Sequence, residues 1–234
     1  VERLVMQDGS ALTKARRTRA LLQRLRDLRL VVVLDRRVGG PRSGSTTSVY
    51  GLTGWGQAVL DAPGTYGKRR RRIWETKPAF VDHVLAVAEL YVQLTQLAQI
   101  SPAELVRFEG EPAAWRRFAA VDGTPSFLKP DAYVQVAVGD LERNVFAEMD
   151  MATESLPTIQ RKCLQYAAYW LSGTEQQAHG VFPRVLWLVP TEARKSRIQS
   201  VIDRLNVDIR PLFMVALQTD GAGLLAAPGG EVNV

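Results

Sequence analysis

The chain has 234 residues, 46% of them hydrophobic and 23% charged, which is enough to bury a sizeable core in one or two domains. No apolar run approaches the ~20 residues that a membrane span needs. The single cysteine, Cys163, excludes a disulfide framework or a CxxC zinc knuckle, so a reducing, cytoplasmic setting is expected. The net charge of +6 is spread unevenly, with 17 Lys and Arg against 6 Asp and Glu up to residue 78 and 13 against 18 beyond it. That asymmetry predicts a basic front suited to phosphates and an acidic back suited to a metal ion, with a merely solvated basic face as the plainer alternative.

The chain opens on Val1 rather than Met, consistent with a preceding segment. Ser10 is placed to cap a helix running to about Leu28. Leu12, Ala15, Leu22, Leu25 and Leu28 recur at helical spacing and predict a core-facing stripe. Lys14, Arg16, Arg17, Arg19, Arg24 and Arg26 make the opposite face cationic. Residues 30–38 (LVVVLDRRV) are rich in β-branched side chains and read as a strand, GGPRSGSTT as a turn and SVYGL as the return strand. Thr53 then caps a short helix.

Helix, hairpin and the run Tyr50, Leu52, Thr53, Gly56 (Y-x-L-T-x-x-G) resemble a winged helix-turn-helix over about residues 1–60. The resemblance implies that the helix at 11–28 enters the major groove of double-stranded DNA, its Arg side chains reaching phosphates or base edges. It also sends Arg42, at the hairpin tip, toward an adjacent groove. Arg29 stands where a Gly often ends that helix. A winged helix used for protein contacts is the other reading. Residues 61–78 read as a linker, broken by Pro63, Gly64 and Gly67. Its run Lys68, Arg69, Arg70, Arg71 and Arg72 either lies along a DNA backbone beside Trp74 or is a solvated tether.

Residues 79–218 predict a second domain. A helix from Pro78 to about Ile100 carries a broad apolar face. On it His83 reads more readily as a hydrogen-bonded core residue than as a ligand. A strand at 104–110 is followed by an irregular insert anchored by Trp115 and Phe118. Further strands are expected at 131–138 and 144–150, then a helix from Pro157 to about Leu171 and a strand at 184–190. A helix at 192–205 and a strand at 212–218 complete the set, with a flexible Gly- and Ala-rich tail at 219–234. The fold class is α/β in the α+β sense. The order α-β-β-β-α-β agrees with the restriction-endonuclease-like topology.

Asp131 opens one predicted strand, and Glu148 and Asp150 close the next. Acids at neighbouring strand ends suit a hard cation beside a phosphate. Lys162 and Tyr166, four apart, share a helical face. The arrangement resembles the PD-(D/E)XK nuclease core, with Asp131 as first acid, Glu148 as second, and Asp150 where the Lys is expected. An anion there cannot stabilise developing negative charge. The resemblance to related nucleases implies that Lys162, on the helix, takes that part, or else that the fold has lost its chemistry and keeps the acids for structure or binding. Together with Lys129, Pro130 and Thr153, these residues resemble the replication-relaxation family of plasmid and mobile-element proteins.

The resemblance implies a DNA-binding protein of replication or relaxation, acting as a metal-dependent nicking endonuclease. Asp131, Glu148 and Asp150 would hold Mg²⁺ or Mn²⁺, required only if the site is catalytic. Glu89, on the first helix of the domain, is a further acid by the same resemblance, with a solvent-exposed Glu as the plainer reading. The alternative is a non-catalytic regulator or replication accessory factor whose back domain dimerises or binds replication or transfer proteins. No P-loop, GxGxxG or GxSxG run is present. His83 and His179, the two histidines, do not make a His-rich metal triad.

Overall fold

The computed structural model describes residues 1–38, 47–60, 78–120 and 123–229. Arg42, the run Lys68 to Arg72 and Trp74, assigned above to DNA contacts, lie outside them. The chain divides into two compact units, Val1–Pro78 and Ala79–Val234. Among the described residues no helix is long and apolar enough to cross a membrane.

The front unit runs α1 (Glu2–Val5), α2 (Ala11–Asp27), β1 (Val31–Val38), β2 (Thr47–Leu52) and α3 (Gly54–Leu60). Helix α2 starts where its cap predicts, because the Ser10 hydroxyl accepts the Thr13 amide at 3.3 Å. Its end is a Schellman turn: the Leu30 amide donates to the Leu25 carbonyl at 2.9 Å and the Arg29 amide to that of Arg26 at 2.8 Å. That turn puts Arg29 in the left-handed region at φ 56°, where Gly is the usual residue.

β1 and β2 pair antiparallel from Val31↔Leu52 to Val38↔Thr47. The Leu52–Gly56 run then has a specific job. The Thr53 amide donates to the Leu30 carbonyl at 3.0 Å, and its hydroxyl donates to the Arg29 carbonyl at 2.5 Å. The same hydroxyl accepts the Gly56 amide at 3.0 Å, capping α3. A Cβ on Gly56 would stand 2.1 Å from the Leu30 carbonyl oxygen, so this close approach requires glycine.

The predicted stripe on α2 holds only in part. Ala15, Leu22 and Leu25 are half-buried, whereas Leu12 is 82% and Leu28 64% exposed. The main neighbours of α2 are α1 and β1, too small to cover the whole stripe.

The back unit continues with α4 (Pro78–Ile100), β3 (Ala103–Gly110), β4 (Arg116–Ala119), β5 (Pro125–Leu128), β6 (Ala132–Val138), β7 (Leu141–Met149) and α5 (Leu156–Leu171). It closes with α6 (Thr174–His179), β8 (Arg184–Val189), α7 (Glu192–Ile202), β9 (Phe213–Leu217) and α8 (Gly221–Ala226). Five strands form a mixed sheet in the order β3-β6-β7-β8-β9. β6 runs antiparallel to both of its neighbours, β3 and β7, while β8 and β9 join in parallel. The protein is therefore mixed α/β, of the α+β kind.

Strand alternation divides the core into two layers. Phe146, Val185 and Trp187 pack with Ile159, Cys163 and Tyr166 of α5 and Ile198 of α7. Val145, Ala147, Leu186 and Leu188 pack on the other face with Leu90 and Leu94 of α4 and Leu225 of α8.

Two expectations need correcting. The insert is an ordered hairpin, β4–β5, with Arg117 opposite Phe127. Phe118 is buried in it as predicted, but Trp115 is exposed and its neighbour Ala114 is buried instead. The end of the chain is not a flexible tail over residues 221–229. Buried Arg143 donates to the carbonyls of Leu225 at 2.8 Å and Gly229 at 3.0 Å. Gly221 lies so close to Leu188 that a Cβ would meet its Cδ2 at 2.4 Å.

Candidate active site

Glu148 and Asp150 are two residues apart at the end of β7, so both point to the α5–α7 side of the sheet with Phe146. Each meets a cation from a different helix. Lys162 of α5 places its Nζ 3.1 Å from Glu148 Oε2 and 3.1 Å from Glu154 Oε1. Arg194 of α7 grips Asp150 with two parallel bonds, Nε to Oδ2 at 2.7 Å and Nη2 to Oδ1 at 2.8 Å. The Glu148 end borders a cavity. The Asp150 end is a closed one.

Glu148 is buried, and its other oxygen, Oε1, accepts the Tyr166 hydroxyl at 2.5 Å. Tyr166 lies one turn beyond Lys162 on α5, as their spacing predicts, and both reach Glu148. Asp131, just before β6, accepts the Met149 amide on Oδ2 at 2.7 Å. Its Oδ1 stands 3.1 Å from His83 Nε2 of α4. Sequence reasoning gave His83 a core role. A lone histidine on an apolar helix carries no local signal for an acid 48 residues later.

Asp131, Glu148, Lys162, His83, Glu154 and Trp187 line one cavity of about 490 Å³. Asp150 borders it too, but Arg194 occupies both of its carboxylate oxygens. Glu89 accepts from Gln93 at 3.2 Å and does not line this cavity. Lys14, Arg16, Arg17, Arg19 and Arg24 belong to the front unit. There Arg16, Arg17, Arg19 and Arg24 are exposed and Lys14 is half-buried.

The electrostatics follow from burial. Desolvation, reinforced by the negative charge of Asp131, pushes the Glu148 carboxyl up from 4.5 to about 7, against the opposing pull of Lys162 and the Tyr166 hydroxyl. Burial works against the Lys162 ammonium, yet Glu148 and Glu154 outweigh it and raise its pKa. The hydrogen bond to Asp131 raises His83.

The Glu148 shift predicts a pH dependence. A carboxyl whose folded pKa is raised contributes stability that is fully present below its unfolded value of 4.5, and this is lost as pH rises through about 7. The metal-free protein is expected to lose roughly 3 kcal/mol across that window from this group. Glu148→Gln, which keeps an acceptor for Tyr166, should flatten the slope. Urea unfolding on both sides of the window, for both proteins, checks it, and an equal slope in the variant would refute it.

Among the described residues no group of three His, Cys, Asp or Glu side chains stands in metal-holding geometry. Mg²⁺, however, is commonly held by one or two carboxylates, with waters and substrate phosphate completing the shell. The oxygen donors Asp131 and Glu148 fit that chemistry. Asp150, the third acid expected there, is bonded through both oxygens to Arg194.

The family model described as Replication-relaxation matches residues 1–185 of the chain. The matched residues include Asp131, Glu148 and Lys162 and stop short of Arg194. No curated protein and no solved structure matches.

Proposed function

From the premise that the chain belongs to the replication-relaxation family, with the role in plasmid or mobile-element replication or relaxation that this suggests, we propose that it is a metal-dependent DNA endonuclease. In this reading the front unit is a winged helix that docks duplex DNA through Arg16, Arg17, Arg19 and Arg24. The back unit is a PD-(D/E)XK-like domain that nicks the DNA. The observation that carries the proposal is the convergence of Asp131, Glu148 and Lys162 on one cavity at the end of the sheet, with the cation supplied by α5 rather than by the strand position that Asp150 fills.

Asp131 and Glu148 would hold Mg²⁺ or Mn²⁺. When bound, such an ion polarises the phosphodiester and makes water a better nucleophile near neutral pH. Tyr166 and the Met149 amide fix the two carboxylates, and His83 holds the second oxygen of Asp131. Lys162 starts on Glu148 and Glu154 and offers its ammonium to the charge that develops on the phosphate. Asp150 orients the end of β7 through Arg194. A second reading, a non-catalytic regulator or replication accessory factor, has its own support: Lys162 is already matched by two carboxylates.

Nicking of supercoiled plasmid in Mg²⁺ or Mn²⁺ separates the two. Asp131→Asn and Glu148→Gln are each expected to slow nicking by about a hundredfold or more, with DNA binding retained. Tight DNA binding with no metal-dependent nicking by the unaltered protein would leave the regulator.

A further inference from the structure

We propose that the β4–β5 hairpin is a stacking platform that delivers an unpaired DNA strand to Glu148, so that the substrate is DNA opened at the cleavage position rather than intact duplex. The inference rests on the reading of the back unit as DNA-acting and names the form of DNA it takes.

The hairpin alternates inward and outward side chains. Phe118 and Leu128 enter the core, while Arg117 and Phe127, directly opposite each other, face out. Phe127 is 41% exposed and Trp115, just before β4, is 39% exposed. Each aromatic ring carries a cation on its face. The Arg117 guanidinium lies 4.9 Å from the Phe127 centroid, and Lys129 Nζ lies 4.6 Å from that of Trp115.

Glu111 accepts the Trp115 indole N–H at 3.0 Å and fixes the ring. The Gln165 amide of α5 donates to the Phe127 carbonyl and ties the hairpin to the helix that carries Lys162. Phe127 and Lys129 also line a cavity of about 440 Å³ with Gln165 and Tyr166. Glu148 and Lys162 are walls of both this cavity and the one holding Asp131. The aromatic surface therefore runs up to the acid.

Exposed rings interleaved with Arg and Lys match a nucleic-acid strand term by term. Every base has a π face to stack on an aromatic ring, and every phosphate needs a cation. Arg117 and Lys129 can yield the ring faces to bases and move to the backbone. Duplex DNA cannot use such a surface, because its base faces are already stacked on each other. The preference for an open strand follows from that difference.

The test measures binding of the full chain, without divalent metal, to a labelled oligo-dT of about 16 nucleotides and to a duplex of the same length. Phe127→Ala and Trp115→Ala are each expected to weaken oligo-dT binding about tenfold and to leave duplex binding within about twofold. Phe127→Tyr and Trp115→Phe, which keep a π face, should bind as the unaltered protein does. Alanine variants that bind oligo-dT normally, or that lose both ligands equally, would overturn the proposal. Plasmid nicking is scored separately. Phe127-dependent strand binding without nicking sustains the platform and removes the nuclease, and nicking of the oligo-dT unaffected by Phe127→Ala does the reverse.

Discussion

Arg194→Ala is expected to lower the melting temperature of the back unit by about 10 °C. The Asp150 side chain has no contact with solvent, and Arg194 saturates both of its oxygens. Removing the guanidinium leaves a carboxylate buried without a counter-charge, which costs about 3–5 kcal/mol. Arg194 also donates to the Glu154 carbonyl at 2.8 Å, so the turn after β7 loosens with it. Asp150→Leu combined with Arg194→Met removes both charges and is expected to recover most of the loss, because a buried pair replaced as a unit by apolar side chains of similar volume is nearly neutral. Thermal unfolding of the single and double variants checks both statements. A single variant as stable as the unaltered protein would return Asp150 to the status of a free acid, available to a metal ion.

That experiment also bears on what the sequence could convey about the site. Asp131 and Glu148 were legible because strand ends and the β6–β7 pairing bring them together. Lys162 and Tyr166 were legible because four-residue spacing puts them on one helical face. Asp150 looked equivalent to Glu148, since both share the parity of β7. What separates them is the helix each one meets, α5 or α7, and the Arg194 partner lies 44 residues away. His83 was undervalued for the same reason. A hydrogen bond to Asp131 depends on how α4 lies against the sheet, which periodicity does not encode.

The fold shows the same division between local and distant signals. Caps at Ser10 and Thr53 mark helix starts that the structure keeps. The β4–β5 hairpin escaped notice because its strands are four residues each, too short for alternation to stand out from a Pro- and Gly-containing loop. Helix α8 escaped because Gly and Ala are poor markers of burial, and its anchor, Arg143, sits 82 residues earlier.

Gly56→Ala should open the front unit even though Ala is the better helix former by about 1 kcal/mol. The added methyl would stand 2.1 Å from the Leu30 carbonyl oxygen, and that obstacle is backbone, not the movable end of a side chain. Relief requires α3 to withdraw from the end of α2, which breaks the Thr53 amide and hydroxyl bonds to Leu30 and Arg29. At about 1 kcal/mol for each lost bond, the net cost is roughly 2–3 kcal/mol in a unit with few buried side chains. Hydrogen exchange of the β1 and β2 amides should speed up by about thirtyfold or more, while the amides of β6 and β7 stay protected. Arg29→Gly is the control of opposite sign. It relieves a left-handed Arg at φ 56° and should slow the same amides by about 1 kcal/mol of added stability. If Gly56→Ala left those amides unchanged, the Leu-Thr-x-x-Gly run would have some role other than joining α2 to α3.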